Sequence, residues 1–501
     1  MKKAVLILGM VLCMAQGHAQ SHHKQNSHTA LDDFFQSAEK DFDDFLRQNE
    51  ADFNAFRKKC MDEYAEFVRN PWKAFEETKP VPVPKENPVP PVVKPDDDDK
   101  PIEDKPVVID EVIKPAPVEP QPKPVAPIEE VPVVDVKTVD FAFFGTPAKV
   151  RFDAANRVRL SGIDENSIAD GLKSFRAEDY DNMLLDCLAL RRDLNLSDWG
   201  YIQMLKALAD KVCGKGSNDS ALLLAYLYMQ SGYKMRMATD GSKLYMLYAS
   251  KHQIFNQASF GVKGDVFYGV EELPARLFIC EATFPKEKEM SLLINSGQRF
   301  TEDLSEARTI TSRRYADCSI SVSVNKNLID FYNTYPTSML GDNFMTRWGM
   351  YANTPLDRKV TSQIYPMLRN KLKGMSQLEA ANRLLNLLQT GLVYEYDNKV
   401  WGRDRAFFAE ESLFYPYCDC EDRAILYTRL VRDLLGLDCI LVYYPGHLAA
   451  AVAFSDDVKG DYIMLNNRKF VVTDPTYIGA PVGDTMPEMD NQTAKVILLN
   501  N

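Results

Sequence analysis

A long proline-rich segment is the feature that most limits how this chain can fold. Between residues 79 and 135 proline recurs every two to five residues, beginning KPVPVPKENPVPPVVKPDDDDKP. Proline lacks a backbone N–H and fixes its own backbone angle, so neither a continuous helix nor a central sheet strand is expected there. The composition predicts an extended linker that could span roughly 170 Å. We therefore expect this linker to hold an N-terminal part and a globular part apart.

Residues 29–78 carry apolar and aromatic side chains at a spacing of eleven residues. The pairs are Leu31/Phe34, Phe42/Phe45, Phe53/Phe56 and Tyr64/Phe67, and Phe75 follows. Eleven residues fill three helical turns, so this spacing predicts an amphipathic helix with its apolar stripe on one face. Because such a stripe is unfavourable in water, we expect the helix to self-associate as a coiled coil, to bind a protein partner, or to pack on the rest of the chain.

Residues 1–19 have the pattern of a secretory signal peptide. Lys2 and Lys3 are basic, the stretch from Ala4 to Ala15 is apolar, and small residues surround a cleavage site at Ala19. The apolar stretch is too short to span a membrane, and no transmembrane segment is predicted elsewhere. We therefore expect an exported protein, periplasmic or extracellular.

Composition excludes some classes of partner. The chain has 501 residues and a net charge of −12, and an acidic protein is a poor ligand for nucleic acid. The nine cysteines are too sparse for a disulfide scaffold, although export permits one or two bridges. We expect a peptide or protein substrate, and neither a cofactor nor a resident metal ion.

Two segments of the globular part resemble each other. They are residues 216–249 (GSNDSALLLAYLYMQSGYKMRMATDGSKLYMLYA) and residues 419–453 (DCEDRAILYTRLVRDLLGLDCILVYYPGHLAAAVA). Each predicts an acidic helix start, an apolar helix that ends at a glycine (Gly232 and Gly436), and then two strands. This pattern predicts an internal duplication.

The two copies differ at positions that matter for chemistry. With residues 277–285 aligned to 470–478, Cys420 is opposite Ser217, His447 opposite Lys243, and Asp474 opposite Glu281. A cysteine, a histidine and an aspartate that differ together indicate one functional copy and one degenerate copy. The predicted domains are a degenerate one at 136–285, a connecting β/α segment at 286–374 and a catalytic one at 375–501.

Cys420 is the candidate nucleophile. Asp419 fits the N-cap of a helix, and Asp422 three residues later completes a pattern like a capping box. The free N–H groups and the dipole of a helix N-terminus favour a thiolate. We therefore expect the pKa of Cys420 to be lowered.

His447 and Asp474 are the candidate partners of that thiol. His447 begins a predicted strand after a Pro-Gly turn, and His252 is the only other histidine of the globular part. Asp474 ends another predicted strand and precedes a proline, which keeps it extended. Nucleophilic catalysis needs a base and a third group that orients the base, and these two residues can supply both.

The blocks CEDRA, GHLAAAVAF and VVTDPTY, in this order, resemble the transglutaminase-like superfamily. The resemblance covers residues 375–485 and, in degenerate form, 200–285. It implies an α+β fold with tandem transglutaminase-like (papain-like) domains, preceded here by the amphipathic helix and the Pro-rich linker. It also implies Cys420 as nucleophile, His447 as base and Asp474 as orienting residue in acyl chemistry on amide bonds. The superfamily includes proteases, amidases, cross-linking enzymes and inactive binding domains.

Several alternatives stay open for these residues. Cys420 could be a small core residue or could form a disulfide with Cys418 or Cys439, and Cys418 could itself be the nucleophile. Cys418, Cys420, His447 and an acid could bind zinc. His447 could be a structural histidine, and Asp474 only a turn cap.

Nearby residues have less specific interpretations. Trp401 is expected in the core or the cleft wall, and Glu410, Glu411 and Asp422 are expected as capping and surface groups. As a whole, the protein could instead be a non-catalytic, tethered peptide-binding or scaffold protein of the cell envelope.

Overall fold

The computed structural model describes residues 48, 52–53, 55–85, 88–95, 102–132, 135–175, 178–487 and 489–500. The predicted signal peptide and most of the first half of the predicted amphipathic helix lie outside the described residues. The chain divides into two compact units, Met1–Phe56 and Arg57–Asn501. Within the second unit the fold is α+β, as the sequence predicts.

The helices of the second unit surround the sheets. Residues 57–68 are helical, and further helices are Glu165–Ser174, Glu178–Asp193, Asp198–Cys213, Asn218–Gln230, Lys326–Asn333, Thr346–Asn353, Arg358–Leu372, Gln377–Gly391, Asp397–Val400, Ala409–Phe414 and Cys420–Leu435, with a 3-10 turn at Ala154–Asn156. None of the helices in the described ranges is both long enough and apolar enough to cross a bilayer.

The strands are mostly short and are numbered here in chain order. They are β1 Lys73–Glu76, β2 Lys105–Pro106, β3 Ile109–Ile113, β4 Thr138–Phe143, β5 Thr146–Arg151, β6 Met235–Thr239, β7 Leu244–Ala249, β8 His252–Ile254, β9 Ser259–Val262, β10 Asp265–Gly269, β11 Arg276–Ile279, β12 Arg308–Thr311, β13 Ser319–Val322, β14 Ser338–Leu340, β15 Val393–Tyr394, β16 Tyr417–Cys418, β17 Cys439–Tyr444, β18 His447–Val452, β19 Asp461–Leu465, β20 Arg468–Thr473 and β21 Ala494–Leu498.

The two larger sheets of the described residues share one strand order. One runs β9-β10-β7-β6-β11-β1, and the other runs β19-β20-β18-β17-β21-β3 with β2 added beside β19. A buried helix precedes the central hairpin in each case, Asn218–Gln230 before β6 and Cys420–Leu435 before β17. The five strands from β9 to β11 and from β19 to β21 thus follow one order, whereas the edge strand β1 pairs antiparallel with β11 and β3 pairs parallel with β21.

This topology corrects the residue alignment of the two copies. Gly269 pairs with the fourth residue of β7, and Thr473 pairs with the fourth residue of β18. The counterpart of His447 is therefore Leu244, and that of Asp474 is Val270. Aligning His447 with Lys243 and Asp474 with Glu281 was wrong, because Glu281 follows β11, which occupies the position of β21 in its sheet.

The proline-rich segment does not hold two parts of the chain away from each other. Its strand β2 pairs in parallel with β19, and β3 pairs in parallel with β21, so both edges of the seven-stranded sheet carry a strand from this segment. An edge strand needs hydrogen bonds on only one side, so it tolerates the missing N–H of proline. These two strands cover the edges that β19 and β21 would otherwise expose.

The part of the amphipathic helix in the second unit packs on its own chain. Its buried face consists of Arg57, Cys60, Met61, Tyr64, Ala65 and Val68, whereas Phe67 is 61% exposed. The helix ends at residue 68, and Phe75 lies in β1. Of the predicted pair in this part, Tyr64 is buried as expected and Phe67 is not. The predicted end of the helix at residue 78 is ten residues too late.

Breaking the buried ion pair between Arg57 and Asp181 should loosen this helix. The Arg57 Nη2 and Asp181 Oδ1 atoms are 2.5 Å apart, and both side chains are buried. Arg57→Ala leaves a buried carboxylate without its partner and should reduce the free energy of unfolding by about 3–5 kcal/mol. Urea denaturation followed by circular dichroism measures this loss.

The matched control is Lys59→Ala, two residues away on the same helix. Its ion pair with Glu63 is exposed and 3.9 Å long, so its removal should cost at most about 0.5 kcal/mol. Equal, small losses in both variants would contradict docking through Arg57.

Candidate active site

Cys420 is the first residue of a helix whose start is built by local sequence. Asp419 is the N-cap, and its backbone N–H donates to Oδ2 of Asp422 at 3.2 Å. At the other end Gly436 adopts φ 64, the left-handed conformation that glycine favours. Twelve of the sixteen helix residues are buried, including Cys420. The helix thus holds the thiol at a fixed place inside the protein.

His447 and Asp474 come together because β18 and β20 are neighbours. Antiparallel pairing of Ala450 with Thr473 sets the start of β18 beside the end of β20. His447 Nε2 lies 2.9 Å from Asp474 Oδ2, and both side chains are fully buried. Because the Asp474 oxygen accepts this hydrogen bond, Nε2 carries the proton and Nδ1 presents its lone pair.

A second set of hydrogen bonds fixes the Asp474 carboxylate. Its Oδ1 atom accepts from the backbone N–H groups of Thr476 at 2.8 Å and of Tyr477 at 3.3 Å. Asp474 is therefore a turn cap and a histidine partner at once. The two interpretations that the sequence left as alternatives are both met by the same side chain.

Cys420 and His447 line one cavity of about 480 Å³. The backbone N–H of Leu448, the residue after His447, faces the sulfur of Cys420 and favours its thiolate. Nδ1 of His447 is buried and has no hydrogen-bond partner among the described residues. The structure thus gathers all three predicted site residues, with one imidazole nitrogen tied to Asp474 and the other unengaged.

The environment of the thiol is acidic, which corrects the prediction of a lowered pKa. Burial raises the pKa of Cys420 well above its usual value, and the carboxylates of Glu421 and Asp419 raise it further. The thiol lies 3.2 Å from Glu421 Oε2, to which it donates. The pKa of Cys420 is therefore raised and not lowered, although the residue begins a helix.

Two further acids, which the sequence analysis did not single out, lie in the wall of this cavity. Asp397 and Asp404 line it together with Asp419 and Glu421. Burial, and then the charge of Glu421, raise the pKa of Asp397 to about 8. Both acids belong to the stretch DNKVWGRDR, about twenty residues before the Cys420 helix. The local sequence of this stretch does not indicate that it lies near the thiol.

Arg347 offsets part of this negative charge. Its guanidinium is buried, forms an ion pair with Asp404, and lies 3.9 Å from Glu421. It is also 3.9 Å from the ring centre of Phe344 and 4.8 Å from that of Trp348. The cation is thus shared between carboxylates and aromatic rings.

Gln389 and Arg423 brace the loop that carries Asp474. The side-chain amide of Gln389 donates to the backbone oxygens of Asp474, Tyr477 and Ala480, at 3.0, 2.7 and 3.0 Å. Arg423 donates to the backbone oxygens of Leu392, Pro475 and Gln389, at 3.0, 3.3 and 3.4 Å. Both side chains are buried, so they fix the orienting carboxylate through the backbone.

Three acids expected at the surface are inside the protein. Glu410, Glu411 and Asp422 are at most 2% exposed. Asp422 and Glu411 do cap helices, since their oxygens accept the N–H groups of Asp419 and Phe408. Burial raises the pKa of Glu410 to about 8 and that of Glu411 to about 7. The prediction of surface groups was wrong because a helical pattern does not reveal which caps are covered.

Other residues named by the sequence have structural roles. Trp401 packs against Phe407 and Tyr415, with ring centres 5.8 and 4.8 Å away, and it is Trp348 that lines the cavity. His252 is buried and accepts from the Leu292 N–H at 3.1 Å. Burial lowers its pKa to about 3, so it stays neutral.

The disulfide and zinc alternatives for Cys420 are not met. None of the eight cysteines from Cys60 onward forms a disulfide. Within the described ranges, the possible metal ligands close to the Cys420 sulfur are Asp419 and Glu421, and this group contains neither Cys418 nor His447. Cys418 instead lies against the backbone oxygen of Val393, at 3.8 Å.

Comparison of the chain with protein families and with curated proteins finds no match. The candidate site therefore rests on its own residues.

Proposed function

We propose that this protein is an exported, cysteine-dependent hydrolase or acyltransferase of the transglutaminase-like type. It acts on amide bonds in peptides or proteins through a thioacyl intermediate. Cys420 is the nucleophile, His447 the general base, and Asp474 the orienting residue. The observation that carries the proposal is the imidazole of His447: its Nε2 atom is hydrogen-bonded to Asp474, its Nδ1 atom has no hydrogen-bond partner among the described residues, and His447 and Cys420 line the same cavity.

Because the pKa of Cys420 is raised, the thiol proton leaves during the attack on the carbonyl and not before it. As Cys420 Sγ attacks the amide carbonyl, Nδ1 of His447 takes the thiol proton, and the new positive charge is stabilised by Asp474. The tetrahedral oxyanion is stabilised by backbone N–H groups at the helix start, including that of Cys420. Collapse breaks the C–N bond, and His447 returns the proton to the leaving amine.

The thioester that remains is resolved by the same base. Water attacks in hydrolysis and an amine attacks in transfer, each losing a proton to His447 as the carbon–sulfur bond breaks and the thiol reforms. The resting state needs no thiolate, because the base acts during attack. This order is compatible with the raised pKa of Cys420.

The rival function is a non-catalytic, tethered peptide-binding protein. It is favoured by one observation, the hydrogen bond from the Cys420 thiol to Glu421 together with the raised pKa of that thiol. In a binding protein the thiol would react at a rate that does not depend on His447. The two functions therefore differ in a measurable way.

His447→Ala should slow labelling of Cys420 by a peptidyl acyl probe about a hundredfold, because general-base assistance contributes at least about that factor. Intact-protein mass spectrometry at pH 7 follows the labelling. Cys420→Ala should abolish it.

The matched control is Cys418→Ala, since this thiol is also buried and lies two residues away. Its variant should be labelled like the wild type. Equal labelling of the wild type and His447→Ala would contradict catalysis and favour the binding protein.

Glu421→Gln should make the Cys420 thiol more acidic. The negative charge of Glu421 raises the thiol pKa, so its removal should lower the pH of half-maximal alkylation by about one to three pH units. Iodoacetamide alkylation across pH 7 to 11, read at Cys420 by peptide mapping, measures this change. Glu395→Gln is the control, because Glu395 pairs with Lys399 on the protein surface. An unchanged pH profile in Glu421→Gln would contradict the acidic environment of the thiol.

A further inference from the structure

Part of the proline-rich segment lies across the candidate site. We call residues 81–85 and 88–94 the strap. At the start of the strap, the Asn256 N–H, in the loop between β8 and β9, donates to the Val81 oxygen at 2.8 Å. Farther along, the Val89 N–H donates to the Gly446 oxygen at 2.9 Å. Gly446 immediately precedes His447, so the strap is anchored on the backbone next to the candidate base.

The end of the strap is held on the loop that carries Asp474. Ile478 N–H donates to the Val92 oxygen at 2.8 Å, and Lys94 N–H donates to the Ile478 oxygen at 2.9 Å. The Lys94 side chain also forms an ion pair with Asp484. Backbone hydrogen bonds therefore hold the strap at Val81, Val89, Val92 and Lys94.

The strap also forms one wall of the site cavity. Pro82, Val83, Pro84, Lys85 and Pro88 line the cavity that Cys420 and His447 line from the other side. Val89 and Val92 pack against an apolar cluster of Tyr477, Ala480 and Met486. Backbone hydrogen bonds combined with pockets for spaced side chains are the way in which proteins bind extended peptides.

We infer that the strap occupies, within its own chain, a groove built for an extended, proline-containing peptide. During the reaction the peptide chain of the substrate occupies this groove in place of the strap. The strap therefore limits the access of the substrate to Cys420. This inference rests on the proposed function only where it identifies the bound peptide as a substrate. The groove and its occupant stand without it.

The strap is suited to block the thiol without reacting with it. Two of its described peptide bonds beside the cavity, Val81–Pro82 and Val83–Pro84, precede a proline, and such tertiary amides lack an N–H. None of the described strap residues carries a side-chain amide. A proline-rich peptide also loses little conformational freedom on binding.

The test measures access to Cys420 in the full chain. Val89→Pro removes the N–H that donates to Gly446, so alkylation of Cys420 by iodoacetamide at pH 9 should become about three- to tenfold faster, the factor for one backbone hydrogen bond. Val93→Pro is the matched control, because Val93 is 65% exposed and the hydrogen bonds to Ile478 come from its neighbours. Equal rates in the wild type and Val89→Pro would overturn the inference.

Two further measurements keep the test decisive. If Val89→Pro lowers the thermal midpoint, Lys94→Ala takes its place, because it releases the other end of the strap by a side-chain change. Alkylation of Cys420 should become faster in this variant too. A synthetic peptide of residues 79–95 should restore slow alkylation of Val89→Pro, and a peptide with valines 89 and 92 replaced by aspartate should not. Faster alkylation that the native peptide fails to reverse would also overturn the inference.

These readouts are separate from the proposed function, because alkylation at pH 9 reports access and not catalysis. If the strap variants open Cys420 but His447→Ala leaves probe labelling unchanged, the groove stands and the enzyme proposal fails. If His447→Ala slows labelling but no strap variant changes access, the enzyme proposal stands and the groove inference fails.

Discussion

The pairing of β18 with β20 is the interaction on which the candidate site depends. It sets a histidine at the start of one strand beside an aspartate at the end of the other, although 27 residues separate them in sequence. Successive side chains of a strand point to opposite faces, so a slip of one residue would turn His447 away from Asp474. The helix that begins at Cys420 packs on the same strand, β18. One register thus places all three groups.

The electrostatics of the site oppose the usual route to a reactive cysteine. A thiolate is normally stabilised by a nearby cation or a helix N-terminus, but here burial and the neighbouring acids Glu421 and Asp419 raise the pKa of a thiol that begins a helix. The buried cation, Arg347, is engaged by Asp404 and by aromatic rings. A raised pKa also makes a thiol less susceptible to oxidation, because oxidation requires thiolate character.

Local patterns in the sequence predicted the elements but not their surroundings. The Asp419 and Asp422 pair and Gly436 specify where the helix begins and ends, and the Pro-Gly turn specifies the hairpin before His447. The burial of Glu410 and the arrival of Asp397 at the thiol depend on contacts between distant segments, which no local pattern encodes. The strand order corrected the repeat alignment for the same reason, because sheet neighbours are decided by pairing over long distances.

The strands that cover the edges of the seven-stranded sheet also constrain how the protein can fold. β2 pairs with Asp461 and Tyr462, and β3 pairs with residues of the last strand, Ala494–Leu498. More than 350 residues of chain therefore lie between partners that must meet. Contacts of such high sequence separation form slowly and late. The segment that carries β2 and β3 thus cannot complete the sheet until β21 has been synthesised.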